Sequence, residues 1–423
     1  MVPPSGSALS AHSSAVERLL TSYRSIPAGA PVRLAKSTSN LFRARTKSDV
    51  PGLDTSGLTT VISIDPDACT ADVAGMCTYG NLVAATLRYG LAPLVIPQLK
   101  TLTLGGVITG LGVESASFRC GLPHESVLEM DILTGAGELV TASPAEHRDL
   151  FRAFPNSHGT LGYSTRLKIQ LESVAPFVAL RHIRFNSLAA MIATMERIID
   201  TGGLDGVAVD YLDGVVFSAD ESYLCVGRRT TTAGPVSDYS GKHIYYQSIQ
   251  HDAGIKEDRL TISDYFWRWD NDWRAPRWRP RRYLRSSGSA GSPTHERVAE
   301  DVEVPIERTV EFLQWFLETV PMSPILLCPL RLRDHDGWPL HPMKPDRSYV
   351  NIGFWCAMPL DATEGTTDPP VVEKVAALDG HKSVHSDGGE VYQTVKKTYD
   401  PDSRLLDLYA EGIEQPPLST RQP

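Results

Sequence analysis

Four glycines within residues 99–121 give this 423-residue sequence its clearest chemical signal. The stretch reads LKTLTLGGVITGLGVESASFRCG, and the glycines are Gly105, Gly106, Gly110 and Gly112. Glycine weakens a helix or strand by up to ~1 kcal/mol, so such a cluster indicates positive φ angles or backbone lying against a ligand. The spacing G-G-x-x-x-G-x-G fits neither a Walker loop nor the G-x-G-x-x-G turn of a Rossmann fold. A glycine-lined packing site is the alternative interpretation.

A second candidate ligand contact is the polar segment Ala35–Arg43, AKSTSNLFR, which follows a predicted strand at Pro31–Leu34. It places three small hydroxyl residues between two basic residues. A turn of this kind offers backbone N–H groups and hydroxyls to a phosphate. A solvated loop without a ligand is the other interpretation.

The elements that would position these two segments follow an α+β order. We predict strands at Leu58–Ile64 and Thr70–Ala74, a helix at Tyr79–Tyr89, a strand at Leu94–Ile96, a hairpin of Val127–Leu133 and Glu138–Thr141, a helix at Glu146–Ala153 and a strand at Ser164–Leu171. Gly90 is the predicted end of the first helix, and the Gly135-Ala136-Gly137 turn indicates the hairpin.

The second half of the chain has the pattern of a sheet covered by helices. We predict a helix at Ser187–Asp200, strands at Leu204–Phe217 and Ser222–Gly227, and a helix at Ile306–Val320. The apolar side of the first of these helices is typical of a core. Asp210, Tyr211 and Asp213 could reach a substrate pocket, but the pattern favours ordinary strand ends at the surface.

Composition excludes several classes of protein. The length is enough for two domains, and the formal net charge of −9 disfavours nucleic acid as a partner. Six scattered cysteines without a C-x-x-C or Cys/His cluster indicate free thiols and no metal site. Residues 1–20 lack a signal-peptide pattern, and no run reaches the ~18 apolar residues of a membrane span, so we expect a cytoplasmic protein.

Two longer segments, PLVIPQLKTLTLGGVITGLGVESASFRCGL and DLFRAFPNSHGTLG, carry a family resemblance. They resemble the seladin-type branch, the Δ24-sterol reductases and their bacterial relatives, of the vanillyl-alcohol oxidase / p-cresol methylhydroxylase superfamily. Within it, the chain is most similar to bacterial reductases of 10-methylene fatty-acyl chains in the tuberculostearic acid pathway. The resemblance implies an N-terminal helix and tail at 1–29, a two-subdomain FAD-binding domain at 30–175 and an α+β substrate cap at 176–423.

The same resemblance implies where FAD lies. Its pyrophosphate would contact residues 37–40 and 103–106, and the flavin would lie on residues that follow. The implied FAD-binding residues are Ser37, Thr38, Ser39, Asn40, Pro97, Gln98, Thr103, Leu104, Gly105, Gly106, Gly110, Gly112, Glu114, Ser115, Gly121, Gly159 and Gly162. Many superfamily members tether the flavin through a histidine in the first phosphate loop. Thr38 and Ser39 stand there in this chain, so we expect non-covalent FAD.

The implied reaction is reduction of a lipid alkene, either a 10-methylene fatty-acyl chain on a phospholipid or a Δ24-sterol-type alkene. An isolated alkene resists direct hydride attack, so the protein must supply a proton donor. Candidates are Glu114, His124, Tyr211 and Asp387. Burial near the flavin would raise the pKa of Glu114 toward a useful range, and a role in holding its own loop is the alternative. We expect NADPH as electron donor and a lipid methyltransferase as a partner.

Residues 265–285, YFWRWDNDWRAPRWRPRRYLR, alternate tryptophan with arginine. This composition suits a lipid interface, where rings lie at headgroup depth and arginines meet phosphates. We therefore expect a peripheral site on the inner face of the membrane. Single-stranded nucleic acid is disfavoured by the acidic remainder of the chain, and a packed aromatic cluster with solvated arginines is the structural alternative.

Two other functions stay open at this point. The superfamily includes many FAD-dependent alcohol and sugar oxidases, so an oxidase is one alternative. Segments near 286–297 and 387–391 are shorter than in the proteins that the chain resembles. A truncated, inactive flavin-binding remnant is therefore the other alternative.

Overall fold

The computed structural model describes residues 6–35, 52–110, 112–239, 245–270, 295–320, 322–341, 343–359, 368–382 and 389–405. Within them the chain builds two mainly antiparallel sheets in succession, each with helices packed against it. The α+β class predicted from the sequence is confirmed.

The first sheet is built from six antiparallel strands. The strands of this half are β1 (Leu34–Ala35), β2 (Leu53–Asp54), β3 (Val61–Asp65), β4 (Thr70–Ala74), β5 (Leu91–Pro93), β6 (Val127–Leu133), β7 (Leu139–Ala142) and β8 (Tyr163–Ser173). The order is β3-β4-β8-β6-β7, β5 also pairs with β8, and β1 and β2 form a separate parallel pair. The predicted hairpin is β6–β7. The strand expected at Leu94–Ile96 lies earlier, because Leu91 pairs with Ser173.

Five helices accompany the first sheet. They are α1 (Gly6–Ser25), α2 (Tyr79–Thr86), α3 (Leu104–Thr109), α4 (Ser117–Cys120) and α5 (Arg148–Ala153). The Thr78 side chain accepts a hydrogen bond from the N–H of Asn81 at 3.3 Å and so caps α2. A 3₁₀ turn continues α2 until Gly90, whose φ of 67° is favourable for glycine. The helix end that the sequence predicted at Gly90 is confirmed.

The second sheet has eight strands. The strands of this half are β9 (Phe177–Phe185), β10 (Gly203–Leu204), β11 (Val207–Ala208), β12 (Tyr211–Ser218), β13 (Glu221–Thr230), β14 (Ile255–Thr261), β15 (His295–Pro305), β16 (Ile325–Arg331), β17 (Ser348–Pro359) and β18 (His381–Lys382). The order is β14-β9-β13-β12-β16-β17-β15-β18. One predicted strand, Leu204–Phe217, is wrong as a single element. Asp205 and Gly206 both have positive φ and turn the chain into the small β10–β11 hairpin.

Helices cover one face of the second sheet. The helices of this half are α6 (Leu188–Thr201), α7 (Tyr245–Ile249), α8 (Ile262–Phe266), α9 (Thr309–Thr319), α10 (Asp368–Ala377) and α11 (Gly389–Tyr399). Apolar side chains of α6, α9 and α10 share a core with the sheet. The predicted apolar side of α6 belongs to this core, since Met191 and Met195 are fully buried. The first half of the chain and residues 245–270 pack against the opposite face of the sheet.

The last described helix returns to the first sheet's domain. The Tyr399 hydroxyl donates to Asp149 in α5 at 3.1 Å and lies 3.0 Å from the His147 ring nitrogen Nδ1. Lys396 Nζ donates to the backbone oxygen of Thr160 at 2.8 Å. The chain passes from the first sheet to the second between Ser173 and Phe177. Residues 389–405, which the predicted boundaries place in the cap, nevertheless pack on the domain of the first sheet.

A row of polar residues crosses all eight strands of the second sheet on the face away from α6, α9 and α10. Cross-strand pairs place these residues side by side in the order Lys256, His182, Cys225, Asp213, Cys328, Asn351, Glu303 and His381. From His182 to Glu303 every member is buried. Their sequence neighbours, such as Leu212, Leu224 and Leu327, point to the helix-covered core.

Candidate active site between the two sheets

The four glycines of the first candidate segment serve two different purposes. Gly105 and Gly112 are packed against protein: a Cβ on Gly105 would lie 2.7 Å from the backbone oxygen of Gly75, and one on Gly112 would lie 2.8 Å from Val107 Cγ1. A Cβ on Gly106 would lie 2.9 Å from Thr103 Oγ1, and one on Gly110 would lie 3.0 Å from Gly106 O, so these two glycines are crowded only by their own turn. Packing against distant segments therefore explains two of the glycines, whereas Gly106, which is exposed, leaves its outer side free for a ligand.

Helix α3 begins with its N–H groups already engaged. Leu104 N donates to Cys77 O at 2.9 Å, Gly105 N donates to Gly75 O at 2.8 Å, and Gly106 N donates to Thr103 Oγ1 at 3.3 Å. The expected pyrophosphate contact therefore cannot use the N–H groups of Leu104 and Gly105. The sequence could not show this, because their acceptors lie in the segment after β4.

The loop after α5 lies against the C-terminal end of α3. His158 N donates to Thr109 O at 2.6 Å. Asn156, His158 and Gly159 all have positive φ, which is costly for the two non-glycine residues and is typical of ligand-contacting loops. Gly162, at φ 140°, is instead packed against Ile132 and Leu133 of β6. The loop and the open side of α3 thus form one edge of a candidate cofactor site.

A pair of alanine variants separates the two classes of glycine. Gly105→Ala should lower the free energy of unfolding by ~1–3 kcal/mol, because the new methyl group meets Gly75 backbone and Ser164 Oγ. Gly106→Ala, its matched control, meets only the Thr103 hydroxyl, at 2.9 Å, so it should cost less stability than Gly105→Ala and should lower the affinity for a cofactor lying on that backbone. Chemical denaturation and cofactor titration of both variants check this. Equal stabilities would contradict the packing role of Gly105.

Glu114 is a buried carboxyl group directly after the glycine stretch. Its side chain is 4% exposed, and its Oε2 accepts from the N–H of Ser115 at 3.2 Å. Burial raises the pKa of Glu114 to about 8, and the nearby Asp213 raises it further, whereas Arg268, the Ser115 N–H and the Gln98 amide lower it. At neutral pH the carboxyl group is therefore protonated and can donate a proton.

A buried ion pair from the second domain faces Glu114. Arg268, 1% exposed, forms a salt bridge with Asp213, 2% exposed. The Arg268 guanidinium also lies 3.9 Å from the Tyr265 ring centre, and the Tyr265 hydroxyl donates to Ser115 Oγ at 2.9 Å. The sequence analysis gave Arg268 no catalytic role. A usable signal was present, because Asp213 is a charged residue inside an apolar strand and a buried carboxylate needs a cationic partner.

A small pocket of about 10 Å³, room for about one water molecule, lies at this junction. Its lining includes Glu114, Tyr265 and Arg268 together with the apolar residues Ile96 and Phe266. The site therefore combines a protonated acid with tightly packed, partly apolar surroundings. Both features strengthen electrostatic interactions and proton transfer within such a site.

The described part of the Trp/Arg segment is a packed cluster. Trp267, Arg268 and Trp269 are all buried. Trp269 packs edge-on against Tyr245, with ring centroids 4.6 Å apart. The expected lipid interface is therefore wrong for these three residues, because their rings fill the space between α7 and the second sheet. Residues 271–285 of the segment lie outside the described residues.

Tyr211 is engaged in an ion network that joins the two domains. Its hydroxyl accepts from Arg229 Nε at 2.9 Å, and burial raises its pKa to about 12. Arg229 also pairs with Glu172 on β8, and Glu172 accepts two hydrogen bonds of 2.9 Å from Arg119. This geometry suits a positioning role for Tyr211 at the domain junction better than proton donation.

His124 lies apart from the ion pair, in an aromatic cluster with a loop of the second domain. Its ring centroid is 4.5 Å from Trp338 and 4.9 Å from His341. Burial lowers the pKa of His124 well below its ordinary value, and His341 and Arg152 lower it further. Because the imidazole is neutral at physiological pH, His124 is a weaker candidate acid than Glu114.

Several predicted site residues lie outside the described residues. They are Ser37, Thr38, Ser39, Asn40 and the candidate acid Asp387. Among the described residues, no group of three or more His, Cys, Asp or Glu side chains is arranged to hold a metal ion. None of the described helices combines the length and the apolar character needed to cross a membrane.

Comparison with known families assigns a ligand to the first domain. Residues 14–143 match the family model described as FAD binding domain. The chain contains an FAD-binding domain. The match reaches from α1 through β7 and includes α3 with its glycines.

Relatives in curated collections extend the similarity across the chain. The Delta(24)-sterol reductase of Homo sapiens is 24% identical over 362 residues, which cover 77% of this chain and 68% of that protein. The Arabidopsis thaliana protein of the same name is 25% identical over 422 residues, covering 82% and 74%. Cytokinin dehydrogenase 2 of Oryza sativa subsp. japonica is 36% identical over 152 residues, covering 34% and 26%. Together with the domain match, these similarities support an FAD-linked oxidoreductase of the p-cresol methylhydroxylase type.

The residues present fit FAD. Gly106 and Gly110 leave backbone uncovered beside α3. Buried polar atoms without a hydrogen-bond partner among the described residues include Gln98 Oε1, Glu114 Oε1 and Ser157 Oγ. Such atoms are costly unless a ligand or water satisfies them. Gly106 and Gly110 would therefore be the backbone that holds FAD in this domain, and a ligand or water would satisfy Gln98, Glu114 and Ser157.

Proposed function

We propose that this protein is an FAD-dependent reductase of a carbon–carbon double bond in a lipid. The observation that carries the proposal is the buried, protonated Glu114 beside the FAD-binding backbone. Support comes also from the comparisons, since similarity to the sterol reductases spans both domains, whereas similarity to the cytokinin dehydrogenase spans about a third of the chain.

The chemistry needs a proton and a hydride on adjacent carbons. Reduced FAD, when bound, supplies the hydride. Glu114 supplies the proton to the carbon that leaves a tertiary cation on its neighbour, and the carboxylate that remains is reprotonated after turnover. Ile96 and Phe266 exclude water that would otherwise trap the cation. The Ser115 N–H holds the Glu114 carboxyl in place.

For the substrate we propose a 10-methylene fatty-acyl chain on a phospholipid, with a Δ24-sterol-type alkene as the second choice. Both give a tertiary cation when protonated at the less substituted carbon. In the first case a lipid methyltransferase would supply the methylene group, and NADPH would reduce the flavin. The site of action would then be cytoplasmic, at the inner face of the membrane, reached through residues 271–285.

Anaerobic reoxidation of the flavin tests the proposal. The purified protein should be yellow, become bleached by NADPH, and regain its oxidised spectrum when vesicles of methylene-acyl phospholipid are added. Mass spectrometry should then find the 10-methyl product. Vesicles of the saturated lipid serve as the control. Bleached flavin that stays reduced with both methylene-acyl and Δ24 substrates would reject the reductase assignment.

Two other outcomes of this experiment have a defined meaning. Rapid peroxide formation from a soluble alcohol would favour an oxidase, although a protonated Glu114 is poorly suited to accept the alcohol's proton. A colourless protein that binds no added FAD would indicate an inactive remnant.

A further inference from the structure

A buried ion pair in the second domain lies beside the candidate acid. Asp213 comes from the centre of the second sheet, and Arg268 comes from the turn after α8. Removing both charges from water costs several kcal/mol per ion, and apolar replacements of similar volume are often neutral or stabilising. The position of this pair next to the candidate acid is therefore informative.

Contacts connect the pair to Glu114 along two routes. The Arg268 guanidinium donates to Tyr265 O at 2.8 Å and stacks on the Tyr265 ring, whose hydroxyl donates to Ser115. From β12, Leu212 N donates to Ser115 O at 2.7 Å. Ser115 in turn donates its N–H to Glu114. Arg268, through Tyr265, and the backbone N–H of Leu212, next to Asp213 in β12, thus hold Ser115, whose own N–H holds the carboxyl group.

Two charges act on Glu114 in opposite directions. Arg268 favours the carboxylate form, and Asp213 favours the protonated form. The Gln98 amide and the buried Cys328 thiol from β16 also act on or near Glu114. The same pocket is lined by Tyr211, Tyr265 and Glu172, and the Glu172 charge is paired with Arg119 and Arg229. With the ion pair intact, burial decides the protonation of Glu114.

We propose that Asp213 is a positioning residue: it screens the buried charge of Arg268 and thereby lets Glu114 stay protonated. The inference rests on the proposed function only in taking Glu114 as the proton donor. Asp213 acts on the donor and not on the substrate.

The test follows the protonation of Glu114 without substrate. The infrared carbonyl band of a protonated carboxylic acid is recorded against pH in the FAD-bound protein, and Glu114→Gln assigns the band. In Asp213→Asn, the unscreened Arg268 charge should lower the band's midpoint by about one pH unit or more. Asp205→Asn is the matched control, because it removes the exposed pair with Arg181 in the same domain and should leave the midpoint unchanged.

A second variant keeps the test decisive if Asp213→Asn folds poorly. Asp213→Asn/Arg268→Gln carries no charge at either position, so its midpoint should return to the wild-type value. A midpoint that stays at the wild-type value in a folded Asp213→Asn, or a double variant that shifts like the single one, overturns the proposal. Because no substrate is present, a shifted midpoint in a protein that reduces no alkene would reject the proposed reaction and leave the positioning role standing.

Discussion

Glu114→Gln should lower the rate of alkene reduction about 10²- to 10⁴-fold while FAD remains bound. Glutamine preserves the shape of the side chain and can still accept the Ser115 N–H, but it has no acidic proton. The measurement is stopped-flow reoxidation of reduced flavin by the lipid substrate. Glu138→Gln, the same substitution at an exposed position of the β6–β7 hairpin, should leave the rate unchanged. A rate within threefold of wild type would assign the proton to another group.

The same carboxyl group predicts a dependence on pH. The pKa of Glu114 is raised by burial from 4.5 to about 8 in the folded protein. Between about pH 4.5 and 8 the folded state keeps this proton, whereas the unfolded state has released it. The free energy of unfolding should therefore fall as the pH rises through this window. Glu114→Gln lacks this titrating group, so its free energy of unfolding should not show this fall. Measured against the wild type, its free energy of unfolding should therefore rise by roughly 2–5 kcal/mol from acidic to alkaline pH. Reductase activity should decline above about pH 8.

Arg268→Gln should reduce the free energy of unfolding by about 3–5 kcal/mol, because it leaves the Asp213 carboxylate buried without its partner. Urea denaturation at neutral pH measures the loss. Arg181→Gln removes an arginine from an exposed pair and should cost less than about 1 kcal/mol. Adding Asp213→Asn to Arg268→Gln should recover part of the stability. If Arg268→Gln lowers the free energy of unfolding no more than Arg181→Gln does, the Asp213–Arg268 pair is not desolvated.

Local sequence patterns were enough to predict many of the helices and strands. Ser187 and Gly202 bound α6 as an N-cap and a left-handed C-cap, and its apolar side faces the core as predicted. The β6–β7 hairpin follows equally from its glycine turn. These elements are decided by residues close together in the chain, so pattern and turn chemistry suffice.

The candidate site was only partly predictable, since its decisive contacts join distant segments. Gly105 and Gly106 are indistinguishable in sequence, and only the approach of Gly75 and Ser164 gives one of them a packing role. Arg268 lies in a segment whose composition suggests a lipid surface. Its burial follows from the need of Asp213, on a strand far earlier in the chain, for a counter-charge.

The polar row across the second sheet also makes misaligned strands unfavourable. Side chains alternate between the two faces, so sliding a central strand such as β12 or β13 by a single residue would move its polar member in among the helices α6, α9 and α10 and would put an apolar residue into the row. A displaced polar residue such as Asp213 would then be buried without its partner. The groups positioned for chemistry thereby also select one alignment of eight strands over its near neighbours, and substitutions that make the row apolar should broaden the set of pairings the sheet can adopt.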